Sequence, residues 1–269
     1  PDCHQTNVGI TVTRSIRIIK IGGNVVNNPD ALASFLADFV KLPGQKILVH
    51  GGGREATRLS AALGIETTMI NGRRVTDRET LDVVTMVYAG LVNKRIVAAL
   101  QALGCDAIGL SGADADVIRA TRRPATPVDF GYVGDIDDED VAESVLAMFL
   151  RNGLTPVFCA ITHDRQGQLL NCNADSVAAA VACAASRIHP ASLIYCFEKP
   201  GVLSDADDDN SVISLITPEN YASLRESGAV SGGMIPKIDN AFSAINRGVK
   251  SVTIKSAADL LEPTAGTVI

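Results

Sequence analysis

The sequence predicts an α/β fold: an open αβα sandwich with a mostly parallel central sheet, in two lobes. Three observations predict it. Apolar, strand-like runs alternate with stretches of helical spacing along nearly the whole chain, and right-handed βα crossovers turn such alternation into a parallel sheet with helices on both faces. The strand-like runs are continuously apolar, as burial on both faces requires. The 269 residues are 46% hydrophobic but only 4% aromatic, without Trp, so the core is one of Val, Ile, Leu and Ala.

The elements follow in order. "PDCHQTNVGITVTRS" (1–15) lacks an apolar signal core and reads as a leader. "IRIIKI" (16–21) is a buried-strand pattern that runs into Gly22-Gly23, and "DALASFLADFVKL" (30–42) has helical spacing and stops before Pro43. "KILVH" (46–50) is the next strand, followed by Gly51-Gly52-Gly53 and by a helix over 54–64 that Gly64 closes. One long helix fits 78–104, and "CDAIGLSG" (105–112) is a strand entering a turn. Between Asp114 and Asp138 the periodicity breaks around Pro124 and Pro127, which predicts a hairpin lying on top of the sheet. A helix over 139–153 and a strand over 154–160 follow; 167–186 passes from a short strand through two Asn into an Ala-rich helix. After a soft boundary near 187–190 come a strand (191–197), the acidic loop "DADDDN" (205–210), helices near 218–227 and 234–247, and a strand over 250–256. The boundary separates an N-terminal lobe, 16–188, from a smaller C-terminal lobe, 189–269.

Charge and composition narrow the function classes. A net charge of -6 and a pI near 5.2 argue against nucleic acid as a partner. Any anionic ligand must then be met by a local cluster of cations. No run approaches the roughly 20 apolar residues of a membrane helix. Six scattered cysteines without a CxxC read as buried free thiols of a reducing cytosol, so the expected location is cytoplasmic. The four histidines show no metal-ligand spacing, and no protein metal site is expected.

Two strand–Gly–helix junctions carry the first chemical signal. Glycine lets backbone amides approach an anion, and the helix that follows adds a partial positive charge. Both loops are expected at the carboxyl edge of the sheet, where ligands bind in open α/β folds. Neither is a GxxxxGK[ST] or GxGxxG fingerprint. Gly22-Gly23 alone is equally a plain turn, whereas three glycines opening a helix are more than a turn needs. Lys20, at the end of an apolar strand, is either an edge lysine or a phosphate contact beside Gly22-Gly23. Lys237 sits in the first turn of a helix, where a cation is disfavoured unless an anion joins it. Arg73 and Arg74 in "NGRRVTD" are a solvated turn or a carboxylate clamp. Asn171, Asn173 and Asp175 in "NCNAD" exceed what helix capping requires. "DADDDN" reads as a solvated loop, since it lacks the spacing of a calcium loop. His50 reads as a residue that shapes the glycine loop.

Taken together, "IIKIGGN", "ILVHGGGRE", "NGRRVTD", "GLVNKRIV", "LLNCNADSVA" and "GGMIPKI", in this order, closely resemble the acetylglutamate kinases of the amino acid kinase family. The resemblance spans about 16 to 269. It implies the amino acid kinase fold and ATP-dependent phosphorylation of the side-chain carboxylate of an N-acylated glutamate, the second step of arginine biosynthesis, with Mg²⁺ carried by the nucleotide. By the same resemblance, Lys20 and Lys237 stabilise the transition state and Asp175 orients them. Gly22 and Gly23 belong to the phosphate loop, and Gly52 and Gly53 to the substrate loop. Arg74 and Asn171 bind a substrate carboxylate, with Asn173 beside them. Glu198, Lys199, Gly201, Val202 and Leu203, with Ala229, Val230 and Ser231, form the nucleotide-binding segments. Glu198 stands where the family often has Asp, which displaces that carboxylate by one methylene. The residues before Ser15 do not read as the extra helix of arginine-inhibited relatives, so a homodimer without arginine feedback is expected. The acyl group is acetyl by family default, with succinyl as the alternative. A non-catalytic amino-acid sensor of the same fold is the competing reading.

The chemistry is consistent from below. A carboxylate nucleophile is already ionised at neutral pH and needs no general base. Bringing it up to a polyanion is the difficulty, and two ammonium groups flanking the transferring phosphoryl would offset the repulsion.

Overall fold

A computed structural model of the chain describes residues 15–137, 139–232 and 234–269. The expected leader, apart from Ser15, lies outside the described residues, as does Cys3. In chain order the elements are β1 (Ile16–Ile21), α1 (Gly23–Val26), α2 (Pro29–Lys41), β2 (Gln45–His50), α3 (Gly53–Ala62), β3 (Met69–Ile70), β4 (Arg73–Arg74), α4 (Arg78–Thr85), α5 (Asn93–Ala102), β5 (Ala107–Leu110), β6 (Thr121–Arg122) and β7 (Gly134–Asp135). They continue with α6 (Glu143–Arg151), β8 (Thr155–Phe158), β9 (Ile161–His163), β10 (Leu169–Asn171), α7 (Ala174–Ser186), β11 (Ala191–Phe197), α8 (Pro218–Glu226), α9 (Met234–Asn246), β12 (Ser251–Ser256) and β13 (Thr267–Val268).

The central sheet has seven strands in the order β13-β12-β11-β1-β2-β8-β5. Every pairing is parallel except β12 with β13 at one edge. β1 lies between β11 and β2, so both of its edges are paired, and Ile16, Ile18, Ile19 and Ile21 are fully buried. The register sets Ile21 level with both His50 and Cys196. Three strands therefore end together, and the loops after them open on one edge. The chain leaves β1 toward β2 on one side and returns through β11 on the other, the switch point at which open parallel sheets bind ligands. β1 and β11 are adjacent, so the sheet runs unbroken across residues 187–190.

α4, a π-helical turn over Met86–Val92 and α5 form one continuous helix, Arg78–Ala102. Asp77 caps it by accepting the amide of Thr80 (2.8 Å). By length and composition alone this helix is long and apolar enough to cross a membrane, a test that the buried core helix of a globular fold also passes. Its apolar side chains Leu81, Val84, Val87, Ile96 and Leu100 are buried in the core of the fold.

Other departures have local causes. The helix expected from 139 begins at Glu143, because the preceding residues are used in pairing: the Asp140 carbonyl accepts Arg119 N–H (2.8 Å), and Val141 bridges Ile118. The hairpin expected between 114 and 138 forms as β6–β7, joined through Val133 to Asn171 of β10. "NGRR" makes a second hairpin, β3–β4, whose turn residues Asn71 and Gly72 take φ of 49° and 76°. Such angles suit the Asn-Gly pair of a tight hairpin turn. Cys105, Cys159, Cys172, Cys183 and Cys196 are buried thiols outside any disulfide among the described residues, and burial lifts Cys159, Cys172 and Cys196 to about 12. The acidic stretch 205–210 is exposed.

Candidate active site

Lys20, Asp175 and Lys237 meet at the carboxyl edge of the sheet. Lys20 is the penultimate residue of β1, and the flat register of β1 carries it to the edge. Asp175 is the second residue of α7, whose start is set by the Asn173 side chain accepting the Asp175 amide (2.7 Å). Lys237 lies in the first turn of α9. The Asp175 carboxylate bridges the two ammonium groups: Oδ1 is 2.7 Å from Lys20 Nζ, and Oδ2 accepts from Lys237 Nζ at 2.6 Å. The Lys20 contact is ionic, without hydrogen-bond alignment at Oδ1. Burial by itself pushes the Asp175 carboxyl upward, but the two lysines outweigh it and hold it down at about 2. The Tyr195 hydroxyl donates to the Asp175 carbonyl (3.3 Å), and Lys237 Nζ lies 6.0 Å from the Tyr195 ring centre. Two cations and one anion leave a local net positive charge in a chain that is acidic overall.

Beside this triad a cavity of about 250 Å³ is lined by Lys20, Gly51, Gly52, Gly53, Arg73, Arg74, Tyr88, Asn171, Asn173 and Asp175, among others. Gly52 is required by close approach: a Cβ there would lie 2.7 Å from Cδ1 of Tyr88. Arg74 is buried, and its Nη2 donates to the Gly53 carbonyl (2.9 Å) and to Thr57 Oγ1 (2.8 Å). Among the described residues no carboxylate lies within ion-pair distance of Arg74. A buried guanidinium held by neutral groups at a cavity wall is prepared for an anion from outside. Asn171 Nδ2 donates to Thr76 Oγ1 (3.0 Å), which donates in turn to the Arg74 carbonyl (3.1 Å). His50 is fully buried beneath the glycine loop, and burial lowers it to about 4. It contacts the Gly51 carbonyl through Nδ1 (2.7 Å) and the Asn93 side chain through Nε2 (3.0 Å). It therefore shapes the loop as a neutral ring, as the sequence predicts.

A second cavity, of about 170 Å³, is lined by Phe197, Lys199, Gly201, Val202, Leu203, Ala206, Ala229, Ser231 and Met234. It lies between the strand end of β11 and the start of α9, so α9 borders this cavity through Met234 and reaches Asp175 through Lys237. Lys199 Nζ is held by Asp209 (2.8 Å). Five expected site residues line neither cavity: Lys237, which reaches Asp175 instead, and Val230, Gly22, Gly23 and Glu198. Val230 is buried, with its amide on the Leu224 carbonyl (2.9 Å). The Gly22 amide is committed to the Cys196 carbonyl (2.9 Å), and Gly23 is the first residue of α1. Glu198 accepts a hydrogen bond from Asn24 Nδ2, which ties the loop after β1 to the loop after β11. Tyr88 is one of the lining residues that sequence reasoning missed. In "TMVYAGLVNK" it reads as one more buried position of an apolar helix.

Comparisons with known proteins agree with this geometry. The amino acid kinase family profile matches residues 15–256. An acetylglutamate kinase of Phocaeicola vulgatus is 54% identical over 254 residues, covering 94% of this chain and 98% of that protein. The crystal structure of smu.665 from Streptococcus mutans superposes with a TM-score of 0.77 at 29% identity, over 94% of this chain and 98% of that one. The carbamate kinase of Giardia shares the fold at a TM-score of 0.63 and 14% identity, over 96% of this chain and 99% of that one. With the family profile matching residues 15–256 and an acetylglutamate kinase 54% identical over 94% of its length, the chain belongs to the amino acid kinase family, among the acetylglutamate kinases.

Proposed function

We propose that this enzyme transfers the γ-phosphoryl group of ATP to the side-chain carboxylate of N-acetyl-L-glutamate, forming an acyl phosphate in arginine biosynthesis. The observation that carries the reading is the Lys20–Asp175–Lys237 bridge. The acylglutamate occupies the cavity walled by Gly52, Gly53, Arg74 and Asn171, with Arg74 receiving its α-carboxylate. Its side-chain carboxylate points to Lys20. The nucleotide lies against Lys199–Leu203 and Ala229–Ser231, with its terminal phosphate toward Lys237. This division supports an N-terminal lobe, 16–188, for the acyl amino acid and a C-terminal lobe, 189–269, for ATP.

The carboxylate attacks in line and ADP leaves, so the bond to the transferring phosphorus is exchanged without a protein proton donor or base. Lys20 and Lys237 neutralise charge on the phosphoryl oxygens from opposite sides. Asp175 keeps both ammonium groups charged and aimed. Among the described residues there is no group of three or more His, Cys, Asp or Glu able to hold a metal. In this reading Mg²⁺ is carried by the nucleotide, as the family resemblance implies. The reading extends to a cytoplasmic homodimer acting on small molecules, without nucleic acid or membrane as partner.

One observation favours N-succinyl-L-glutamate as a second reading. Arg73 lines the same cavity as Arg74; burial first and then the neighbouring Arg123 disfavour its charge, against a smaller opposing effect of Asp135. A further carboxylate would relieve that repulsion. Coupled ADP-release assays with N-acetyl- and N-succinyl-L-glutamate test both: turnover of either decides the acyl group, and turnover of neither leaves the sensor reading.

A further inference from the structure

The π-helical turn over Met86–Val92 interrupts the register of the long helix beside the substrate cavity. Such turns insert one residue and re-aim the side chains they carry, often at functional sites. Here the residue brought to the cavity wall is Tyr88, which is only 6% exposed. Its ring fills the space that a Cβ on Gly52 would occupy, and its hydroxyl lies 3.8 Å from the Cβ position of Gly53. Arg74 Nη2 lies 4.0 Å from that same position. Phenol and guanidinium therefore converge on one patch of wall.

The two groups are chemically complementary. Burial raises the Tyr88 phenol above its usual range, against the opposing pull of Arg74, so at neutral pH it keeps its proton and can donate. Arg74 Nη2 donates to Gly53 and Thr57, and Nη1 is 3.3 Å from Thr67 Oγ1. The Tyr88 hydroxyl is also a hydrogen-bond partner of Arg74 and, since a guanidinium can only donate, it accepts there, which leaves its own O–H to donate to a ligand. A guanidinium edge and a neutral O–H side by side match the two oxygens of one carboxylate.

We propose that Tyr88 is a specificity-determining residue, whose hydroxyl shares with Arg74 the recognition of the substrate's α-carboxylate. The inference rests on the kinase reading and adds to it a contact that lies on the helix rather than on the glycine loop.

Tyr88→Phe tests it, because the ring stays packed on Gly52. Initial rates and calorimetric binding are measured on the intact enzyme with N-acetyl-L-glutamate, and binding also with N-acetyl-L-isoglutamine, whose α-carboxylate is a carboxamide. The expected result is a KM for N-acetyl-L-glutamate raised roughly tenfold with kcat within about twofold, as for loss of one uniform hydrogen bond to a charged group. With the isoglutamine the same substitution changes affinity less than about threefold. An unchanged KM, a fall in kcat instead of a rise in KM, or an equal loss with both ligands overturns the proposal. A wild-type enzyme that binds N-acetyl-L-glutamate but phosphorylates neither it nor N-succinyl-L-glutamate overturns the kinase reading instead. In that case the calorimetric comparison still decides the role of Tyr88.

Discussion

Replacing Lys237 by Met removes one ammonium group while keeping most of its aliphatic stem. In the free enzyme this group is 2.6 Å from Asp175, and its side chain is 32% exposed. The folded protein loses little, because Lys20 still neutralises Asp175 from the other oxygen at 2.7 Å. A partly exposed pair contributes at most about 1 kcal/mol to stability. The transition state loses much more. An ammonium about 3 Å from a phosphoryl oxygen interacts by about 5 kcal/mol at an effective dielectric constant of about 20. Roughly half of that is specific to the charge gathered during transfer, or about 3 kcal/mol, which is on the order of 10²-fold in rate. Lys237→Met is therefore expected to lower kcat by on the order of 10²-fold or more, with a melting temperature within a few degrees of wild type. Lys20→Met is expected to act in the same direction. Because the two lysines serve one phosphoryl group, the double variant is expected to fall short of the product of the single effects. The assay is steady-state ADP release at saturating ATP and N-acetyl-L-glutamate, with thermal unfolding alongside. A loss below about tenfold in either single variant, with folding intact, would refute the convergence of the lysines on the transferring group.

Two further outcomes follow from other parts of the site. Gly52→Ala places a methyl 2.7 Å from the Tyr88 ring, so KM for the acylglutamate is expected to rise by an order of magnitude or more; a companion Tyr88→Leu change should return part of the stability lost, measured by urea unfolding, and no such return would remove the close-approach argument. Asp175 titrates at about 2 in the fold against 3.8 without it, and its folded value is the depressed one. Its contribution, about 2 kcal/mol, is therefore complete above about pH 4 and is lost as pH falls through about 2; Asp175→Asn should flatten the fall in unfolding free energy over that window, and an unchanged acid profile would contradict the bridge.

Much of the fold is legible in the chain because burial on both faces leaves a plain signature. The apolar runs at 16–21, 46–50, 154–160 and 191–197 read as interior strands, and glycines mark where the first two meet the ligand edge. Elements that bury little were not legible. β13, only two residues long and antiparallel at the sheet edge, carries no periodicity to read. The true start of α6 was hidden because residues 140–142 are recruited into pairing by residues 117–119, 21 to 25 positions earlier in the chain.

The local chemistry of the site was written in the sequence: two lysines beside glycines, an Asn-capped aspartate, and an arginine after an Asn-Gly turn. Those signals are local, since each depends on a few neighbouring residues and on the backbone conformations they favour. Tertiary structure alone decided that Asp175 stands between Lys20 and Lys237, partners 155 and 62 residues away in the chain. It alone turned Tyr88 from a core residue into a cavity wall, and bound Glu198 to Asn24. The physical reason is the same in each case. Which ions pair, and which phenol faces a ligand, is set by the register of parallel strands and by one extra residue in a helical turn, and neither leaves a pattern in nearby sequence.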